Sequence, residues 1–164
     1  MNKYLRLRKV YLPTKKIRTI FILESPPASG RYFYNPKGRI TEPLFSAMMK
    51  CVLRINPATK LEGLIAFQKA GYVLVDTTYT PVNHLTKSNR NKIICNDYHN
   101  LVSGLKKLSK KTRPRIILVK ANVCRLLESR LLNDGFNVVN KGVVIPFPSS
   151  GQQSEFCRKI KKLV

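Results

Sequence analysis

The sequence predicts an α/β fold: a three-layer sandwich whose central, mainly parallel four-stranded sheet is flanked by helices. Three observations predict it. Short β-branched runs alternate with helical segments of ten residues or more, which is the pattern of βαβ units. Each run is nearly all apolar rather than alternating, as in strands buried on both faces. The chain has 164 residues, 43% of them hydrophobic, enough for one domain with a sizeable core and cramped for two.

Residues 1–16 (MNKYLRLRKVYLPTKK) are expected to form a basic N-terminal arm, with 17–164 as a single domain. Residues 17–24 (IRTIFILE) read as the first strand, stopped by Pro26-Pro27. The loop SPPASGRYFYNPKG leads to a helix over 44–55 and a second over 61–70, closed by Gly71. Residues 72–77 (YVLVDT) form the second strand, and the loop TYTPVNHLTKSNRNK precedes a helix over 93–108. The third strand is 115–120 (RIILVK) after Pro114, followed by a helix over 122–133 with Gly135 beyond it. Residues 136–145 read as a fourth strand interrupted near Lys141-Gly142, and after PFPSSG a basic helix covers 152–163. No internal repeat or low-complexity tract is present.

Lys and Arg number 31 against 8 Asp and Glu, a formal charge of +23. Such a domain repels itself unless a polyanion takes up the charge, and the usual polyanions are nucleic acids and anionic membrane surfaces. Two stretches concentrate it: residues 3–18, ahead of the first acid, and 106–120, with seven basic residues and no acid. Runs of charge also form ordinary solvated faces, but at this net charge they favour phosphate contacts. No apolar run approaches the roughly 20 residues of a membrane span, and the N-terminus lacks the apolar stretch of a secretory signal. The expectation is a soluble intracellular protein, cytoplasmic or nucleoid-associated, monomeric, with no membrane partner. Cys51, Cys95, Cys124 and Cys157 are dispersed without C-x-x-C or a nearby His, which predicts buried reduced thiols rather than a disulfide framework, metal or cofactor site.

In an open parallel sheet, ligands bind outside the carboxyl ends of the strands. Of the eight acids, Glu24 and Asp76 stand at the ends of strands one and two, while the others lie on or beside helices or near a turn. The bland reading is that these two cap loop amides or pair with Arg31 and Arg90. Ser150 followed by Gln153 fits a capping box, so Ser149, Ser150, Gly151 and Gln152 would open a helix able to hold phosphate, with Lys120 and Arg31 assisting. Tyr32, Phe33 and Tyr34 would stack a nucleobase, or else form a lid on the core. His84, beside Asn83, would donate to a substrate oxygen unless it is simply solvated. His99 is assigned to structure.

These loops resemble those of the uracil-DNA glycosylase superfamily, over residues 17–156. Leu23-Glu24-Ser25-Pro26 resembles its first motif, and Val73-Leu74-Val75-Asp76 with Thr77-Thr78-Tyr79-Thr80-Pro81 resembles the strand whose terminal Asn reads the extruded base. Residues 113–119 (RPRIILV) resemble its third strand, and Phe147-Pro148-Ser149-Ser150 its last motif, where His-Pro-Ser normally stands. Ser25, Phe147 and Asp76 depart from the pattern. The resemblance implies a cofactor-free DNA glycosylase of base excision repair that flips a deaminated base and hydrolyses its N-glycosidic bond. Glu24, Asp76 and His84 would be catalytic. Ser25, Tyr32, Phe33, Tyr34, Asp76 and Asn83 would bind the base. An ionised Asp76 only accepts hydrogen bonds, so uracil is not expected to be the sole substrate, and the surrounding positive charge is expected to keep it ionised. The competing reading is a catalytically inactive nucleic-acid-binding protein on the same fold, consistent with Ser25 and Phe147. A nucleotide-binding α/β protein is less favoured, since neither G-x-G-x-x-G nor a P-loop is present.

Overall fold

The computed structural model describes residues 2–164. Three strands, β1 (Thr19–Leu23), β2 (Tyr72–Asp76) and β3 (Arg115–Leu118), form a parallel sheet in the order β2-β1-β3. All side chains of β1 and β2 are buried, the state anticipated from their continuous apolar runs. Helices α2 (Pro43–Ala47) and α3 (Lys60–Lys69) link β1 to β2, with a π-helical segment Met48–Leu53 between them. Helices α4 (Lys87–Asn96) and α5 (Tyr98–Leu108) link β2 to β3, and α6 (Ala121–Asn133) and α7 (Gln153–Ile160) follow. Alternate strand residues fall into separate clusters. Phe21, Leu23, Leu74 and Ile117 pack with residues of α2, α3, α7 and the π-segment, while Ile20, Ile22, Val75 and Ile116 pack with residues of α4, α5 and α6. None of the described helices is long and apolar enough to cross a membrane.

Several expectations are corrected. The fourth strand does not form: residues 136–145 make only two isolated parallel bridges, Val138 to Ile116 and Ile145 to Val119. Between them Asn140 replaces the missing backbone, its Oδ1 accepting from Leu118 N and its Nδ2 donating to Leu118 O, both at 2.9 Å. With one side chain serving both polar groups of β3 there, the chain is free to loop outward through Gly142 at φ 67°. The helix expected over 93–108 is two helices separated at Asp97, whose carboxylate accepts from Thr78 Oγ1 at 2.5 Å.

Within residues 1–16, expected as a basic arm, α1 (Lys3–Val10) forms and is folded onto the domain. Tyr4 and Tyr11 are buried, Tyr4 edge-on to Tyr32 at 4.9 Å and Tyr11 stacked on Tyr34 at 6.1 Å. The hydroxyls of Tyr34 and Tyr79 reach the outer side of β2. Two of its unpaired N–H groups donate to tyrosine hydroxyls, Leu74 N to Tyr34 Oη at 2.7 Å and Asp76 N to Tyr79 Oη at 3.4 Å, so an edge that would otherwise invite another strand is closed.

Cys51 and Cys157 are joined as a disulfide, their Cα atoms 5.2 Å apart, where reduced thiols were expected. Sequence spacing hides the pairing because the packing of α7 on the π-segment brings together residues 106 positions apart. Cys95 and Cys124 are free.

Candidate active site

The chain passes from β1 outward to β2 and then back across to β3, so the switch point lies between the carboxyl ends of β1 and β3, where open α/β sheets hold ligands. Glu24 follows β1 and Lys120 follows β3, and their side chains form an ion pair across this point. Lys120 lies two residues beyond β3 at φ 89°, a left-handed conformation that non-glycine residues rarely adopt and that costs about 1–3 kcal/mol. It is held there by donation of its N–H to Ile145 O at 2.7 Å and by its carbonyl accepting from Cys124 N at 3.1 Å.

Glu24, only 6% exposed, is enclosed by donors. Its Oε1 accepts from Asn122 Nδ2 at 2.5 Å and lies 3.5 Å from the Arg90 guanidinium, while Oε2 is bound by Lys120. Arg90 was anticipated as a partner, and Asn122 was not. The signal for Asn122 was its position four residues past β3, in the first turn of α6. The backbone carbonyl of Glu24 accepts from Thr77 Oγ1 at 2.5 Å, which locks the ends of β1 and β2 together.

A cleft of about 280 Å³ opens here, lined mostly by apolar atoms. Of the residues expected in the site, Glu24, Ser25, Arg31, Tyr32, Phe33, Asp76, Asn83 and Lys120 line it, joined by Phe147. Asn83 also ties two of its loops together, Oδ1 accepting from Ala28 N at 3.0 Å. Glu42 also lines the cleft and pairs with buried Lys60, whose Nζ donates to Glu42 Oε2 at 2.5 Å and to the carbonyl of Tyr32 at 2.8 Å. Burial lowers the Lys60 pKa, and Glu42 opposes the shift.

Asp76 is 3% exposed. Burial pushes its carboxyl up to about 7, against Arg8 of α1 and the Tyr32 hydroxyl, which favour the charged form. The expectation that positive charge would keep it ionised is therefore corrected, because removal from water outweighs the field of Arg8. Neither Asp76 Oδ2 nor Tyr32 Oη completes a hydrogen bond with the protein, although both are buried. Arg8 approaches because α1 is folded down, with its Nη1 donating to Tyr79 Oη at 2.5 Å, a role hidden when residues 1–16 are read as an arm.

The other expected residues are elsewhere. Tyr34 is buried against Leu74. His84 is exposed and does not line the cleft. Ser149, Ser150, Gly151 and Gln152 are exposed outside it as well. Helix α7 starts at Gln153 with Gln152 as an N-cap that makes no side-chain bond, so the Ser150 capping box does not form. Lys120, expected on phosphate, is engaged by Glu24. Among the described residues no three His, Cys, Asp or Glu side chains gather as a metal-binding group. Comparisons with protein-family models, curated proteins and solved structures find no match for this chain.

Proposed function

We propose that the protein is a DNA glycosylase-like hydrolase that receives an extruded nucleobase in the cleft at the switch point and cleaves its N-glycosidic bond. The observation that carries this reading is the convergence of Glu24 and Asp76 on one apolar-walled cleft in a chain of charge +23. The cleft lies just below the roughly 300–1,000 Å³ common for ligand sites, in keeping with a small occupant such as one base.

In this reading water attacks C1′, the C1′–N bond breaks, its electron pair departs with the base, and the water proton passes to a carboxylate or to solvent. Positive charge grows on the sugar, and Glu24 faces it while orienting the water. Phe33 and Phe147 wall the base. Asp76 and Tyr32, whose buried Oδ2 and Oη lack a hydrogen-bond partner in the protein, read its polar edge. Protonated Asp76 both donates and accepts, as an amide does, whereas ionised Asp76 only accepts. With its pKa near 7, carbonyl-edged bases such as uracil are favoured below neutrality and amino-bearing bases above it. The three-layer arrangement and a role in base excision repair belong to the same proposal, the layering resting on the two core clusters.

The test is base release from matched duplexes carrying uracil, hypoxanthine, xanthine or cytosine between pH 6 and 8.5. Release that fails for every base would remove the reading. One observation favours the inactive nucleic-acid-binding alternative: Glu24 is already held by Asn122, Lys120 and Arg90. Tighter binding to a stable abasic-site mimic than to intact duplex, without turnover, would select that alternative.

A further inference from the structure

Because all three strands are parallel, their amino ends share one pole of the molecule, opposite the cleft. Four chain segments meet there. Arg18 N donates to Gly71 O at 2.8 Å, Arg115 N to Arg18 O at 3.0 Å, and Thr112 Oγ1 to Ile17 O at 3.1 Å. Arg115 Nη1 donates to Leu163 O at 2.7 Å, bringing in the chain beyond α7. Gly71, at φ 79°, lets the turn before β2 approach this junction, since a Cβ there would lie 2.7 Å from Lys16 O.

The side chains carried by these segments are of one sign. Lys15, Lys16 and Arg18 precede β1, and Lys110, Lys111 and Arg113 precede β3, all exposed. Lys161 and Lys162 stand exposed beyond α7. Residues 2–23, 63–75, 98–127 and 156–164 contain no Asp or Glu, and none of these eight cations makes an ion pair among the described residues. Cations left unneutralised by the protein and gathered from three segments fit a regular array of phosphates, which they bind by releasing condensed counterions.

We propose that the amino-end pole is a second, sequence-independent site for the nucleic-acid backbone, separate from the cleft, so that one molecule holds two duplex segments. The inference goes beyond the hydrolase reading and stands whether or not the cleft turns over. A straight duplex laid across the amino-end pole leaves the cleft uncovered, because the whole height of the sheet separates them.

The experiment compares wild type with a pole variant (Lys16, Lys110, Lys111 and Lys161→Gln) and a control of equal charge change (Lys50, Lys92, Arg125 and Lys141→Gln). Affinity for a labelled 20-base-pair duplex is measured against NaCl, and energy transfer reports whether two differently labelled duplexes are brought together. Each phosphate that the protein no longer neutralises flattens the log–log salt slope by about 0.9. The slope of the pole variant should therefore be shallower by about 2–4, and its energy transfer should vanish. The control should keep both. Equal effects in the two variants would overturn the proposal, as would absence of energy transfer in the wild type. An effect confined to binding of phosphatidylserine vesicles, with duplex binding unchanged, would overturn it in favour of a membrane surface.

Discussion

At the carboxyl end of the sheet, Glu24 and Asp76 are almost wholly removed from water and surrounded by aromatic and apolar walls. At the amino end of the same strands, Lys15, Lys16, Lys110 and Lys111 stand in solvent with no acid in the segments that carry them. The physical demands differ accordingly. A buried carboxylate must be partnered or protonated, and Glu24 takes the first course while Asp76 inclines to the second. An exposed ammonium needs no partner, so the opposite pole is built from composition alone. Parallel strands make this division possible, because they sort every connecting loop to one end or the other.

The largest effect that would sharpen the contrast is on chemistry. Glu24→Gln keeps shape and removes charge, and it is expected to lower base release by about 10²–10⁴-fold with affinity for undamaged duplex unchanged. Undiminished turnover would break the distinction between a catalytic end and a binding end.

Next comes the covalent tie. Helix α7 runs from the cleft side to the basic pole and is fixed by Cys51–Cys157. Closing a loop of this length constrains the unfolded chain by about 5 kcal/mol, so Cys51→Ser with Cys157→Ser should lower urea stability by that order. Unfolding curves that coincide with and without dithiothreitol would show that the bridge contributes nothing.

The pH dependence of Asp76 follows. Its folded pKa of about 7 lies above the ordinary 3.8, so the stability contributed by the protonated carboxyl is full below pH 3.8 and is lost as pH rises through 7. A rise of that size corresponds to about 4 kcal/mol at most. Asp76→Asn should remove that decline, and a variant whose stability falls between pH 4 and 8 as steeply as wild type would assign the titration to another group.

Smallest is the sealed edge. Tyr34→Phe leaves Leu74 N–H buried without an acceptor, a cost of about 1–3 kcal/mol, and thermal denaturation should show it. Because the hydroxyl lies at neither pole, base release and salt slope should both persist.

The two poles also differ in how far the sequence discloses them. Strands β1, β2 and β3 are legible because buried parallel strands are continuous apolar runs, and Glu24 and Asp76 are legible as the acids that end two of them. The missing fourth strand is not, since a single Asn140 amide stands in for backbone and no local pattern marks that substitution. The first helix is hidden by its charge. Its packing depends on two tyrosines meeting Tyr32 and Tyr34 across the fold. Motif position alone assigns His84 and residues 149–152 to the site, and their exposure outside the cleft shows that loop membership does not fix loop direction.

Lys120 exposes a conflict between two kinds of selection. Its backbone conformation is one that glycine adopts at no steric cost, whereas its side chain spans the switch point to reach Glu24. A library randomised at position 120 and sorted only for resistance to unfolding should therefore drift towards glycine, while one sorted for what the cleft does should retain lysine. The residue found there records which of the two pressures has governed this position.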